Sequence, residues 1–182
     1  FQATLAGERL TSFHSVKVQA LLAYLVVEAA RPHTREALMA LFWPDDARQS
    51  AQQSLRQALY ALRRVLGDTD NPAREPFLLV TRQTVQFNPT ATYTLDVAAF
   101  LLHLAQEQQE QAVALYHAEL LTGLTTDSAS FEEWLRATRE YLHNLALKAL
   151  NQLTQQRLDR GDYAQAAIYA RRQLTLEPWR EE

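Results

Sequence analysis

The sequence predicts a mainly α-helical chain with small β hairpins. It divides near Thr94 into a front domain of strands and helices (1–94) and an all-helical back domain (95–182). Three observations carry this expectation. Apolar residues recur at spacings of three and four through most of the 182 residues. The β-rich runs, FQATLAGERL at 1–10 and FLLVTRQTVQFNP at 77–89, are confined to the front. From Leu95 onward nothing reads as strand.

The bulk composition fits a soluble globular protein, with 47% apolar and 21% charged residues. The longest apolar run, Ala20 to Val27, falls far short of the ~20 residues needed to span a bilayer. The absence of cysteine excludes disulfides, zinc fingers and thiol catalysis. No signal peptide is visible, and a cytoplasmic location is the economical expectation. Phe1 and the closing PWREE read as cut ends, so a fragment of a longer protein is expected, truncated at its C-terminus. The net charge of −3 conceals an asymmetry. Residues 1–95 hold ten basic and eight acidic residues, giving +2, whereas 96–182 hold eight and thirteen, giving −5. A compact basic patch on the front half is compatible with this balance.

Along the front half, a hairpin is expected around Ala6-Gly7-Glu8. Val18, Leu21, Leu22, Leu25 and Val26 mark the apolar face of a helix over 16–29, capped by Ser12 or Ser15 and broken at Arg31-Pro32. Thr34 caps a second helix, whose buried side is Leu38, Leu41, Phe42 and Trp43. Pro44-Asp45-Asp46 ends that helix and is expected to cap the third. His33, beside Pro32, reads as a turn residue.

The third helix, Ala47 to Gly67, is the most informative stretch. Ala51, Leu55, Leu59, Leu62 and Leu66 form an apolar stripe. The opposite face carries Gln49, Gln53, Arg56, Gln57, Tyr60, Arg63 and Arg64, and no carboxylate. Solvated helix faces normally mix acids with bases in stabilising pairs. Arginine and glutamine can instead donate to phosphates and base edges. A water-facing helix that happens to lack acids is the competing reading. A polar loop, DTDNPAREP, precedes the hairpin that turns at Thr81-Arg82-Gln83-Thr84. Strands, three helices and a closing hairpin are the order of a winged helix-turn-helix, in which the last helix enters the major groove.

In the back half, Asp96 is expected to cap VAAFLLHLAQ, and EQQEQAVALYHAEL continues the helical pattern. ELLTGLTTDSAS reads as a connection, Phe131 to Asp159 as one long amphipathic helix starting at Glu132-Glu133, and Tyr163 to Leu176 as the last helix. GDYAQAAIYARRQLTLEP resembles the second helix of a tetratricopeptide repeat through Gly161, Tyr163, Ala166, Leu174, Leu176 and Pro178. Ordinary helical-hairpin packing explains the same residues.

Taken together, the two halves resemble a known arrangement. SLRQALYALRRVLG, Ser54 to Gly67, is similar to the recognition helix of OmpR-type winged-helix domains. LDVAAF at 95–100, ELLTGL at 119–124, FEEWL at 131–135 and Arg139-Glu140 resemble the bacterial transcriptional activator domain of SARP/AfsR-type regulators. This resemblance implies an activator that binds double-stranded promoter DNA, as a head-to-tail homodimer on direct repeats, with RNA polymerase as a further partner.

Gln53, Arg56, Gln57 and Tyr60 are the expected major-groove contacts, with Arg56 and Gln57 nearest the family's base-reading positions. Glutamine suits adenine and arginine guanine. Half-buried packing is the rival role for Tyr60. Arg63 and Arg64, near the helix end, are expected to hold phosphates, or to pair with Asp68 or Asp70. Arg82 at the hairpin tip is expected in the minor groove or on a phosphate, an assignment resting on fold analogy.

Enzymatic readings find little support. No phosphate-cradling glycine loop occurs, and His14, His33, His103, His117 and His143 show no metal-ligand spacing. His103 and His117 read as helix-surface residues. No catalytic residue, cofactor or metal is expected. The functional alternative is a protein-interaction scaffold whose winged helix does not bind DNA.

Overall fold

The computed structural model describes residues 2–68 and 75–177. Among these, seven helices account for 59% and the strands form small antiparallel sheets, so the mainly α expectation holds. No helix among the described residues is long and apolar enough to cross a membrane. The chain forms two compact units: Phe1–Tyr93 with Leu121–Trp134, and Thr94–Leu120 with Leu135–Glu182.

In the first unit, β1 (Thr4–Leu5) pairs antiparallel with β2 (Glu8–Arg9), as the opening motif predicts. Ala6 and Gly7 between them have φ of 52° and 86°, the double left-handed turn that matches strand twist in a two-residue hairpin. Helix α1 (Val16–Val27) starts at Ser15, whose side chain accepts from the Val18 N–H at 3.3 Å. Every residue from Ala20 to Leu25 is buried, so α1 is a central core helix. A two-residue strand, β3 (His33–Thr34), follows, and α2 (Arg35–Phe42) begins with the Thr34 hydroxyl accepting from the Ala37 N–H.

Helix α3 (Arg48–Val65) buries Ala51, Leu55, Ala58, Leu59, Ala61 and Leu62, with Leu66 just beyond its end. It leads to β4 (Leu78–Val80) and β5 (Thr84–Phe87). The three-stranded sheet has the order β3-β5-β4, with Thr34 opposite Thr84 and Val80 opposite Val85.

Two expectations about this first unit are corrected. His33 is a buried strand residue, 5% exposed, and not a turn residue. Its Nε2 faces the Glu28 carbonyl at 3.1 Å and its Nδ1 lies 3.4 Å from the Tyr24 hydroxyl. Because a carbonyl only accepts, the proton belongs on Nε2, and the tyrosine donates to Nδ1. The second correction concerns the start of α3. Its cap is Ala47, with no side-chain cap bond, so Asp45 and Asp46 do not fill that role.

Residues 121–134 also belong to this unit, although the sequence places them with the helical half. The buried Ser128 hydroxyl donates to the Leu41 carbonyl and accepts from the Phe131 N–H. Phe131 packs on Phe42 with ring centroids 5.1 Å apart, and Trp134 meets Tyr24 edge-on at 4.9 Å. Trp134 Nε1 donates to Glu28 Oε1 at 3.1 Å, and Lys17 pairs with Asp127 at 2.8 Å.

The second unit contains α4 (Asp96–Ala105), α5 (Gln109–Leu115), α6 (Ala129–Asp159) from Leu135 onward, and α7 (Tyr163–Leu176). Asp96 does not cap α4. It lies in the first turn, and its carboxylate accepts from the Val97 N–H. Its core joins Phe100, Ala112 and Tyr116 to Leu142 and Ala146, and Val113 to Ala149, Leu150 and Leu153. Arg172 on α7 donates to the Val113 and Tyr116 carbonyls at the end of α5. Gly161, at φ 72°, ends α6, and the Asp162 side chain caps α7 through the Gln165 N–H. Of the repeat-like positions, Ala166 is buried, Tyr163 is 71% and Leu174 56% exposed, and Pro178 lies outside the described residues. His117 lies past the end of α5, whereas His103 bonds Gln108 from its place on α4.

Candidate nucleic-acid interface

The first unit presents α3 with one face in the core and the other outside. Gln53, Arg56, Gln57, Arg63 and Arg64 are all exposed, as the 3.6-residue repeat requires once Leu55, Leu59 and Leu62 are inside. Tyr60 is 61% exposed, so its ring stands on the outer face and does not pack half-buried. No acidic residue occupies the first turn of α3, and Arg63 and Arg64 occupy its last. Cations at that end also complement the helix dipole, a structural reason for both residues.

Asp68 is committed elsewhere. Its carboxylate oxygens accept from the Phe77 N–H at 2.8 Å and the Leu78 N–H at 2.9 Å, tying the exit of α3 to the start of β4. Pairing of Arg63 or Arg64 with Asp68 therefore competes with two backbone bonds. Asp70 lies outside the described residues.

The hairpin tip is internally braced. Thr81 N–H donates to the Thr84 carbonyl at 2.9 Å, while Thr81 Oγ1 accepts from the Gln83 and Thr84 N–H groups at 3.1 and 2.8 Å. Arg82 is exposed on this tip. Arg35, the first residue of α2, reaches it twice: its backbone N–H donates to the Gln83 carbonyl, and its guanidinium donates to the Thr81 carbonyl.

Two grooves flank the outer face of α3. One, of about 350 Å³, is lined by Arg35, Glu36, Met39, Gln52, Leu55, Arg56 and Arg82. It brings the tip arginine of the hairpin together with the central arginine of the helix, residues 26 positions apart in sequence. The other, of about 640 Å³, has an apolar floor of Val18, Trp43, Ala58 and Ala61 and a polar rim that includes His14, Lys17, Arg56, Gln57 and Tyr60. Arg56 lines both.

Arg35, Gln52 and Lys17 are absent from the residues picked out by sequence. Gln52 follows from the helical wheel, because it lies four residues before Arg56 and so on the same side of α3. Arg35 carries no such signal, because its partner lies 46 residues away and depends on the pairing of β3 with β5. Lys17 meets Asp127 and lies 5.7 Å from the Trp43 ring centroid. The Lys17 hydrogen bond holds the Asp127 carboxyl below its ordinary range.

Residues 95–182 match the family described as bacterial transcriptional activator domain. This match supports a role in transcriptional regulation. It covers the helical half, including LDVAAF, FEEWL and the repeat-like α7. No curated protein matches the chain. The matched region includes residues 121–134, which lie structurally with the first unit.

Proposed function

We propose that residues 1–94 are a winged helix-turn-helix domain of the OmpR type, and that the chain is a sequence-specific activator of bacterial transcription. Helix α3 enters the major groove, and the β4–β5 hairpin is the wing. The observation that carries this reading is the shared groove of Arg56 and Arg82, beside a helix face with no carboxylate. Glu36 shares that groove with Arg35, Arg56 and Arg82, which leaves it net cationic, so the surface attracts a polyanion and offers donors at two heights along it.

In this account Arg56 and Gln57 read base edges, with Gln53 and Tyr60 beside them. Arg63 and Arg64 bind backbone phosphates, and Arg82 reaches the minor-groove edge. The activator domain mediates self-association on direct repeats or contact with the transcription machinery, RNA polymerase included, inside the cytoplasm. The chain carries out no catalysis of its own and uses no cofactor.

The test is selection of duplexes from a random-sequence library by the purified chain, followed by binding measurements over a range of salt. Enrichment of a defined motif, with affinity falling steeply as salt rises, is expected. Recovery of no motif, with equal affinity for all duplexes at low salt, would remove the DNA-reading account.

A further inference from the structure

We propose that Arg35 is a positioning residue that holds the hairpin tip, and with it Arg82, in the groove that Arg56 lines. This inference rests on the DNA-binding reading above and assigns a role within it to a residue that makes the two-part surface possible.

Arg82 is bracketed by Arg35. The carbonyl that precedes it, on Thr81, accepts from Arg35 Nε at 3.1 Å and from Nη2 at 3.0 Å. The carbonyl that follows it, on Gln83, accepts from the Arg35 backbone N–H at 2.9 Å. A peptide unit is planar, so fixing the Thr81 carbonyl also fixes the N–H of Arg82 and the direction in which its Cα leaves. The guanidinium fork supplies two N–H groups to one oxygen, a restraint that a single donor does not reproduce.

The shape of the turn and its placement have separate causes. Thr81 and Thr84 close the turn among themselves, through three hydrogen bonds of 2.8–2.9 Å that do not involve Arg35. Those bonds make the tip rigid without saying where it lies relative to α2 and α3. The Arg35 side chain supplies that second restraint at the far end of the hairpin, beyond the last β3–β5 pair at Thr34 and Thr84. Loss of the side chain should therefore leave a formed turn that samples more positions, and Arg82 should reach its contact in only some of them.

A double-mutant cycle on a duplex enriched by the wild-type chain tests this. Arg35→Ala and Arg82→Ala should each weaken binding roughly tenfold and lower the salt slope by about one. The double variant should resemble either single variant, because Arg35 acts through Arg82. Arg35→Lys keeps the charge without the fork, and its salt slope should fall as that of Arg35→Ala does. In the absence of DNA, backbone amide order parameters at Arg82 and Gln83 should fall in Arg35→Ala with the melting temperature unchanged.

Losses that multiply in the double variant would overturn the proposal and make Arg35 an independent phosphate contact. A wild-type salt slope in Arg35→Lys, or unchanged order parameters at the tip, would overturn it as well. If the wild-type chain enriches no duplex, the DNA-binding reading falls and this role falls with it. If it enriches one and only the coupling is missing, the role of Arg35 alone is lost.

Discussion

Arg56 sits at the middle of α3, exposed, and lines the grooves on both of its sides. Truncation there removes a guanidinium from the outer face without touching the core stripe of Leu55, Leu59 and Leu62. Asp68 illustrates the opposite case, a charged residue with a structural task. Asp68→Ala leaves the Phe77 and Leu78 N–H groups without their acceptor, and chemical denaturation should register a loss of about 1–3 kcal/mol. Ala6 holds a left-handed backbone at φ 52° that L-residues adopt at a cost. Ala6→Gly should therefore raise stability slightly, by about 0.5–1 kcal/mol in the same measurement. The Asp127 carboxyl is held down by its hydrogen bond from Lys17. A depressed folded-state pKa contributes stability above the unfolded carboxylate pKa, and that stability disappears as pH falls through the folded value. Asp127 is exposed to solvent, so the pair's contribution should be about 0.5 kcal/mol or less, and a pH series of melts on Lys17→Met should lose that acid-side component.

At the scale of elements, helices were far more legible than strands or caps. The long helix and α7 follow directly from apolar spacing, because 31 and 14 residues give the periodicity many turns in which to repeat. β3 has two residues and no alternation to read, yet it carries the register that places Thr34 against Thr84. Nothing local announces it, since a two-residue strand exists only by virtue of its partner. The start of α3 misled for a related reason: aspartates beside a helix suggest a cap, but the backbone turn at Trp43 to Asp46 puts Ala47 in that position. In the candidate interface, the exposed face of α3 was legible from the helical wheel, whereas Arg35 was not, because its role depends on a contact 46 residues distant. Packing of α3 sets its own prediction. Leu62 is fully buried, and Leu62→Ala should destabilise the chain by about 2–5 kcal/mol in denaturant titration.

On the scale of the whole molecule, the first compact unit is discontinuous in sequence. Residues 121–134 supply Ser128, Phe131 and Trp134 to a cluster with Leu41, Phe42 and Tyr24, whereas the sequence reads this stretch as a connection up to residue 130 and as the start of the long helix from Phe131. A fragment ending at residue 94 would expose the aromatic faces that this segment covers. Its thermal midpoint should lie below that of a fragment ending at residue 134, and equal midpoints would show the segment to be dispensable. The family-matched region and the proposed DNA-reading unit thus share a stretch of chain, although the sequence boundary between them is expected near Thr94. The central claim is that α3 reads sequence through its carboxylate-free face. The most direct measurement compares wild type with Arg56→Ala against every single-base variant of the duplex that the wild type selects. The account predicts a loss of roughly 1–3 kcal/mol on the selected duplex, with discrimination relaxed at one base step and retained elsewhere. Unchanged discrimination at every position, or a uniform loss with no base step relaxed, would contradict it.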